Sequence, residues 1–185
     1  MGGLTVSLSV WRHARPRDVA GRCIGVTDVA VDRRKSKRLA HRIRAWARRN
    51  EVSPIVVTSE LRRGADVGRW LARWGWRHRI DSRLSELDFG AWDGLRWDEI
   101  GAAPVDAWCA QFERHAPGGG ESVAKLLERC AAFTGDPAHG STVCIVGHAG
   151  WISAALYLRQ PGRVGPQAGS WPAAVGYGER VSLLR

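Results

Sequence analysis

The chain has 185 residues, a length that fits one domain with a continuous core. Hydrophobic content of 44% and charged content of 25% are those of a soluble globular chain, and no apolar run is long enough to cross a bilayer. The net charge of +10 comes without zinc-finger spacing, an RNP-type aromatic motif or a basic tail, so composition bias plus an anion-handling pocket is preferred to a nucleic-acid partner.

Leu4 to Trp11 reads as a buried strand that runs straight into Arg12-His13. The residues from Arg15 to Val31 form a polar loop punctuated by Gly21 and Gly25, long enough at a sheet edge to be functional. Arg34 to Arg49 places Leu39, Ile43, Trp46 and Ala47 at helical spacing among basic residues, which predicts an amphipathic helix. Ser53-Pro54 breaks it, and Ile55 to Thr58 is a short buried strand. Ser59-Glu60 suits a helix start, with the helix running to about Trp74 before Gly75. Arg77 to Ile80 is a brief strand.

Leu84 to Gly120 is irregular, rich in Trp and acids, with short helices near Trp97–Ile100 and Val105–Phe112. Gly118-Gly-Gly120 precedes a helix over Glu121 to Phe133, with Ser122 as its N-cap. A further buried strand over Thr142 to Val146 ends on Gly147-His-Ala-Gly150, a helix follows over Trp151 to Leu158, and a closing strand covers Glu179 to Leu184. Strands alternating with helices predict an α/β fold, a three-layer α/β/α arrangement with a mostly parallel central sheet. Residues 1–185 are expected to form a single domain, with an irregular cap-like insertion at about 84–120.

Cys23, Cys109, Cys130 and Cys144 form no Cys-x-x-Cys pair and have no histidine at metal-ligand spacing, so reduced thiols and no metal site are expected. Arg12 interrupts the first apolar run too early for a signal peptide, and Val6 stands where a myristoylation motif needs Ser or Thr. A cytoplasmic protein is expected, without a membrane partner.

Two strands that each deliver a histidine at the C-terminal tip, His13 and His148, suggest that both imidazoles meet in one pocket. A phosphomonoester carries close to two negative charges and needs fixed cations around its oxygens. Arg12 at the first tip and Arg63 after the second strand can offer planar forks to those oxygens. Only one of the adjacent Arg62 and Arg63 can aim inward. Cations beside His13 disfavour imidazolium, and a neutral imidazole has a lone pair for phosphorus. Glu86 is the expected proton donor to the leaving alkoxide.

Arg12-His13-Ala14, the runs Thr58 to Arg63, Glu86 to Gly90 and Gly119 to Ser122, and Gly147-His-Ala-Gly150 resemble, in this order, the motifs of the histidine phosphatase, or phosphoglycerate-mutase-like, superfamily. The resemblance covers essentially the whole chain. Within that superfamily Gly21 to Asp28 and Asp88 to Gly94 look most like the α-ribazole-5'-phosphate phosphatase branch of cobalamin nucleotide-loop assembly. It implies the histidine phosphatase fold and a metal-independent phosphomonoesterase without cofactor. It makes His13 the residue that becomes phosphorylated, Glu86 the acid and then base, and Arg12, Arg63, His148 and Ala149 the phosphate-binding set. The chain departs from the pattern at Ala14, where many relatives have Gly, at Val19, near a phosphate-contacting Asn of some members, and at Ala30-Val31, where the branch has Pro-Leu.

The positions where mutase relatives carry cations for a second phosphate hold Leu87 and Trp97 here, with Arg96 beside the latter, so a phosphatase is preferred to a mutase. The substrate is expected to be a small-molecule phosphate ester with one phosphate and an apolar or aromatic remainder, on which Trp92, Trp97 or Trp108 could stack. The alternatives are a broad-specificity small-molecule phosphatase, a phosphoglycerate-mutase-type enzyme, or a catalytically silent module that binds phospho-ligands. A monomer or homodimer is expected.

Overall fold

The computed structural model describes residues 7–136 and 142–184; the first residues of the expected opening strand, Leu4 to Val6, lie outside them. Among the described residues five strands form one sheet: β1 (Ser7–Arg12), β2 (Ile55–Thr58), β3 (Arg77–Ile80), β4 (Thr142–Gly147) and β5 (Arg180–Leu184), in the order β3-β2-β4-β1-β5. All neighbours are parallel except β5, which runs antiparallel to β1. The sheet is thus mostly parallel.

Side chains of successive strand residues point to opposite faces, and the core divides accordingly. Leu8 and Val10 of β1 and Val143 and Ile145 of β4 pack with Leu126 and Phe133 of α5 (Val123–Gly135) and Ile152 of α6 (Ala149–Tyr157). Trp11, Cys144 and Val146 face the other way, onto Leu39 and Ile43 of α1 (Arg33–Arg49) and Val67 and Leu71 of α2 (Arg62–Ala72). Two helical layers therefore sandwich the sheet, the α/β/α arrangement that the alternation of strands and helices implied.

Several boundaries differ from expectation, two of them at the site. Helix α2 begins at Arg62 rather than at Ser59-Glu60, because the side chains that would cap it are engaged elsewhere. Ser59 Oγ meets His148 Nε2 at 2.7 Å, and Glu60 Oε1 accepts from Ser85 Oγ at 2.7 Å. Helix α6 starts directly after the strand, at Ala149, with His148 as its N-cap residue.

Between β3 and α5 no strand occurs among the described residues. This stretch carries 3-10 turns and the short helices α3 (Trp97–Ile100) and α4 (Ala102–Ala110). Gly118 fixes its course: φ is +60°, and a Cβ there would stand 2.2 Å from the Phe89 carbonyl oxygen. Only glycine permits backbones to approach so closely. Among the described residues no helix is long and apolar enough to cross a membrane.

Candidate active site

The register of the sheet assembles the site. Arg12 of β1 lies opposite Gly147 of β4, so the residues that follow them, His13 and His148, leave the same edge side by side. His13 N–H donates to the Gly147 carbonyl at 3.1 Å, and the two imidazole centroids are 5.1 Å apart. Strand β4 enters the slot between β1 and β2, and this switch in strand order at the carboxyl edge is where open α/β sheets bind ligands.

His13 is 4% exposed, and its Nδ1 lies 2.8 Å from the Ala14 carbonyl oxygen. A carbonyl only accepts, so Nδ1 carries the hydrogen and Nε2 keeps its lone pair. Burial, with Arg63 next and Arg12 after it, pushes the His13 pKa down to about 3, against the opposing hydrogen bond to Ala14. The ring is neutral at physiological pH. His148 is fully buried and held well below the ordinary histidine range, by burial first and then by His13, Arg63, Arg129 and Arg12. Its Nδ1 accepts from Arg63 Nε at 3.2 Å, which leaves Nε2–H to donate to Ser59 Oγ.

Arg63 sits in the first turn of α2 on the buried stripe that continues to Val67 and Leu71; it is 1% exposed, while Arg62 is exposed. Its Nη1 donates to the Thr27 carbonyl at 2.8 Å and its Nη2 to the Gly25 carbonyl, leaving one N–H on each terminal nitrogen for a ligand. Arg12 Nη1 donates to the Val175 carbonyl at 2.7 Å, and its guanidinium carbon lies 3.7 Å from the Tyr177 ring centroid. Arg12 Nε is buried with no hydrogen-bond partner. A buried cationic donor without an acceptor is costly, and an anion is the partner that would satisfy it.

Glu86 is 8% exposed and fastened at both oxygens: Oε1 accepts from Leu87 N at 3.1 Å, Oε2 from Gly150 N at 3.2 Å. A Cβ on residue 150 would stand 2.5 Å from Glu86 Oε1, so glycine there makes room for the carboxylate. The backbone beneath Glu86 is strapped by Arg129, which donates to the carbonyls of Arg83 (3.0 Å), Ser85 (2.6 Å) and Glu86 (3.1 Å). Glu121 holds that guanidinium bidentately at 2.7 and 2.8 Å. Asp93 accepts from the amides of Gly25 (2.8 Å) and Thr27 (2.7 Å), pinning the loop whose carbonyls receive Arg63.

Arg12, His13, Arg63 and Glu86 thus surround one niche with Tyr177. The niche shares Arg12, Glu86 and Tyr177 with a cavity of about 450 Å³, lined by Phe89, Trp97, Trp108, Phe112 and Trp171 and by Ala149 and Gly150. Trp92 is not among its lining residues. Arg96 pairs with Asp98 outside it, whereas Arg22, which sequence reasoning passed over, lines it. Ser59, Tyr177 and the Arg129–Glu121 pair were likewise missed; Ser59 and Glu121 lay inside quoted motifs, whereas Tyr177 and Arg129 reach the site only through the fold. Among the described residues no group of three His, Cys, Asp or Glu side chains stands together as a metal site.

The family model of the histidine phosphatase superfamily (branch 1) matches residues 8–163. Glucosyl-3-phosphoglycerate phosphatase of Mycobacterium tuberculosis (strain CDC 1551 / Oshkosh) is 34% identical over 140 residues, which cover 67% of this chain and 60% of that protein. The chain therefore spans less than two thirds of the length of that relative. The native structure of mycobacterial glucosyl-3-phosphoglycerate phosphatase is similar with a TM-score of 0.71 at 26% identity, covering 85% of this chain and 81% of that one. The α-ribazole phosphatase of Shigella flexneri, at 24% identity over 96% of this chain and 89% of its own, shares the fold with a TM-score of 0.76.

The neutral His13 has a consequence for stability. Its folded pKa lies below the unfolded value, so the unfolded chain binds more protons between about pH 6.5 and 3. Stability is therefore lost progressively as pH falls through that window, with up to about 1.4 kcal/mol per pH unit from this one group. Denaturant unfolding at pH 7, 6, 5 and 4 should show a steeper acid loss for the wild type than for His13→Gln; parallel curves would mean that His13 is not held neutral.

Proposed function

The chain belongs to the histidine phosphatase superfamily, and on that premise we propose that it is a metal-independent phosphomonoesterase that works through a phosphohistidine on His13. The observation that carries the reading is the fixed tautomer of His13, with its lone pair on Nε2 in a niche walled by Arg12 and Arg63. In the first step Nε2 attacks phosphorus, the bond to the ester oxygen breaks, and Glu86 gives its proton to the leaving alkoxide. In the second, water attacks the phosphohistidine, Glu86 takes the water proton, and phosphate leaves. Arg12 and Arg63 offset the charge on the transferring oxygens. His148 reaches the phosphoryl group through Nε2–H by exchanging its partner Ser59, and Ala149 lies beside it at the start of α6. Residues 84–120 act as a cap that walls the cavity over the niche.

For substrate class, the mycobacterial relatives are named for a sugar–glycerate phosphate, whose hydroxyls and carboxylate need polar partners. The cavity here offers aromatic rings, and its charged lining residues are Arg12, Arg22 and Glu86. This favours a phosphomonoester with an aromatic or apolar remainder, of which an α-ribazole-type phosphate is an example. A broad-specificity phosphatase for such esters is the second reading, favoured by the small number of orienting polar groups.

Rapid-quench labelling with a radiolabelled phosphomonoester should give an acid-labile, base-stable adduct that is absent in His13→Ala, and turnover should survive exhaustive chelation. Label on Ser or Cys, or activity lost to EDTA and restored by a divalent cation, would overturn the mechanism.

Glu86→Gln should slow an alkyl phosphate by roughly 10²–10⁴-fold and p-nitrophenyl phosphate distinctly less, because p-nitrophenolate hardly needs a proton. Arg129→Lys, which loosens the backbone that carries Glu86, should show the same leaving-group bias at about 10- to 100-fold. Equal losses on both substrates would remove Glu86 as the acid.

In a substrate panel, kcat/KM for α-ribazole phosphate or naphthyl phosphate should exceed that for glucosyl-3-phosphoglycerate, and Trp108→Ala should erode this preference by about 10-fold, the scale of one lost stacking contact. A reversed order of substrates would reject the aromatic reading while leaving the chemistry standing.

A further inference from the structure

The positive charge of the molecule is gathered on one face. Helices α1 and α2 carry twelve Lys and Arg against a single acid, Asp66, a balance of +11. The other residues carry sixteen cations against seventeen acids, a balance of −1, so two helices account for the whole +10 of the chain. A compositional preference for arginine would have spread the excess. Of the twelve cations only Arg63 is buried.

The layout is regular. Leu39, Ala40, Ile43 and Ala47 fix the core side of α1, which leaves Arg34, Arg38, Arg42 and Arg49 exposed at helical intervals along the outer side. At 17 residues the helix is about 25 Å long, and a nucleic-acid duplex presents a phosphate charge for each ~1.7 Å of its axis. Between α1 and α2 lies a notch of about 240 Å³ lined by Arg33, Ser36, Arg62, Arg69, Trp70 and Arg73. Arg33, Lys37 and Arg73 stand 5.1, 5.1 and 4.8 Å from the Trp70 ring centroid. Asp66, also in the notch, is paired with Arg69 at 2.5 Å. Ser36 Oγ is buried there with no hydrogen-bond partner, a polar group that a phosphate oxygen in the notch could satisfy. Exposed Arg77 and Arg79 on the edge strand β3 extend the field.

We propose that the α1–α2 face binds nucleic acid through its phosphates, without reading sequence, with one phosphate seated in the notch. Ten of the twelve cations are arginines, whose planar forks match phosphate oxygens better than ammonium groups do. An anionic membrane is the weaker partner, because none of the exposed large hydrophobic side chains, Val26, Ile80, Leu95, Trp97 and Val164, lies on either helix to enter lipid. The sequence alone argued against nucleic acid because it carries no zinc-finger spacing, RNP-type motif or basic tail; folding sets the dense basic run of α1 beside the cations of α2. This binding is independent of the phosphatase reading.

The test is fluorescence anisotropy with a labelled DNA duplex of about 20 base pairs over 50–200 mM salt, where the logarithm of affinity should fall linearly with the logarithm of salt concentration. The triple variant Arg34→Gln, Arg38→Gln, Arg42→Gln should weaken binding at least about 10-fold and reduce the salt slope by about 2 to 3. The matched triple Arg114→Gln, Lys125→Gln, Arg163→Gln, which removes the same charge elsewhere, should stay within about twofold of wild type. Circular dichroism checks that both variants are folded, and glutamine keeps the helix propensity of α1. No binding at the lowest salt, equal losses in the two triples, or tighter association with phosphatidylserine-containing vesicles than with the duplex would overturn the proposal.

Discussion

A guanidinium buried to 1% exposure must have its donors met, and Arg63 organises the site around that requirement. Two of its nitrogens draw in the carbonyls of Gly25 and Thr27, which fixes the loop between β1 and α1. The third meets His148 Nδ1 and so decides that the proton of that ring sits on Nε2. Its charge, added to burial, keeps His13 neutral. One side chain, placed inward by the helical stripe of residues 63, 67 and 71, thus sets the tautomer of one histidine, adds to burial in keeping the other neutral, and shares with Asp93 the fixing of the loop.

Around that centre the irregular parts of the chain are held by other charged side chains rather than by secondary structure. Asp93 ties the loop carrying Gly25 and Thr27 to the segment after Glu86. Arg129, itself gripped by Glu121, collects three carbonyl acceptors from residues 83–86. Trp151 Nε1 donates to the same Arg83 carbonyl at 2.8 Å. A segment that lacks a ladder must satisfy its backbone through side chains, and here those side chains are the ones that aim Glu86.

The sheet, the helical layers and the histidine pair were legible in the sequence because they rest on local signals. Buried strands read as apolar runs, α1 as a 3.6-residue period, and His13 and His148 as strand ends. The inward choice of Arg63 over Arg62 followed from a motif, and the helical phase explains it. What was not legible depends on partners distant in sequence. Ser59 is a plausible helix cap until β4 brings His148 to it from 89 residues away. Tyr177 lies in a Pro- and Gly-rich stretch with no periodicity, and reaches His13 and Arg12 only because β5 returns beside β1. The dense basic run of α1 could be read from the sequence, but not that α2 shares its face.

The strand order also sets a schedule for assembly. In the sheet, strand β1 lies between β4 and β5, and its first pair, Ser7 with Thr142, joins residues more than 130 positions apart. Strand β2 can pair early with β3, but its other edge waits for β4 as well. During synthesis the first strand therefore leaves the ribosome with both edges open, and stays so until most of the chain has followed. Loop closure over such separations makes folding slow relative to chains with local contacts. Until β4 arrives, His13 has no neighbouring histidine and Arg12 no facing strand, so the nascent chain holds the groups of the site without holding the site.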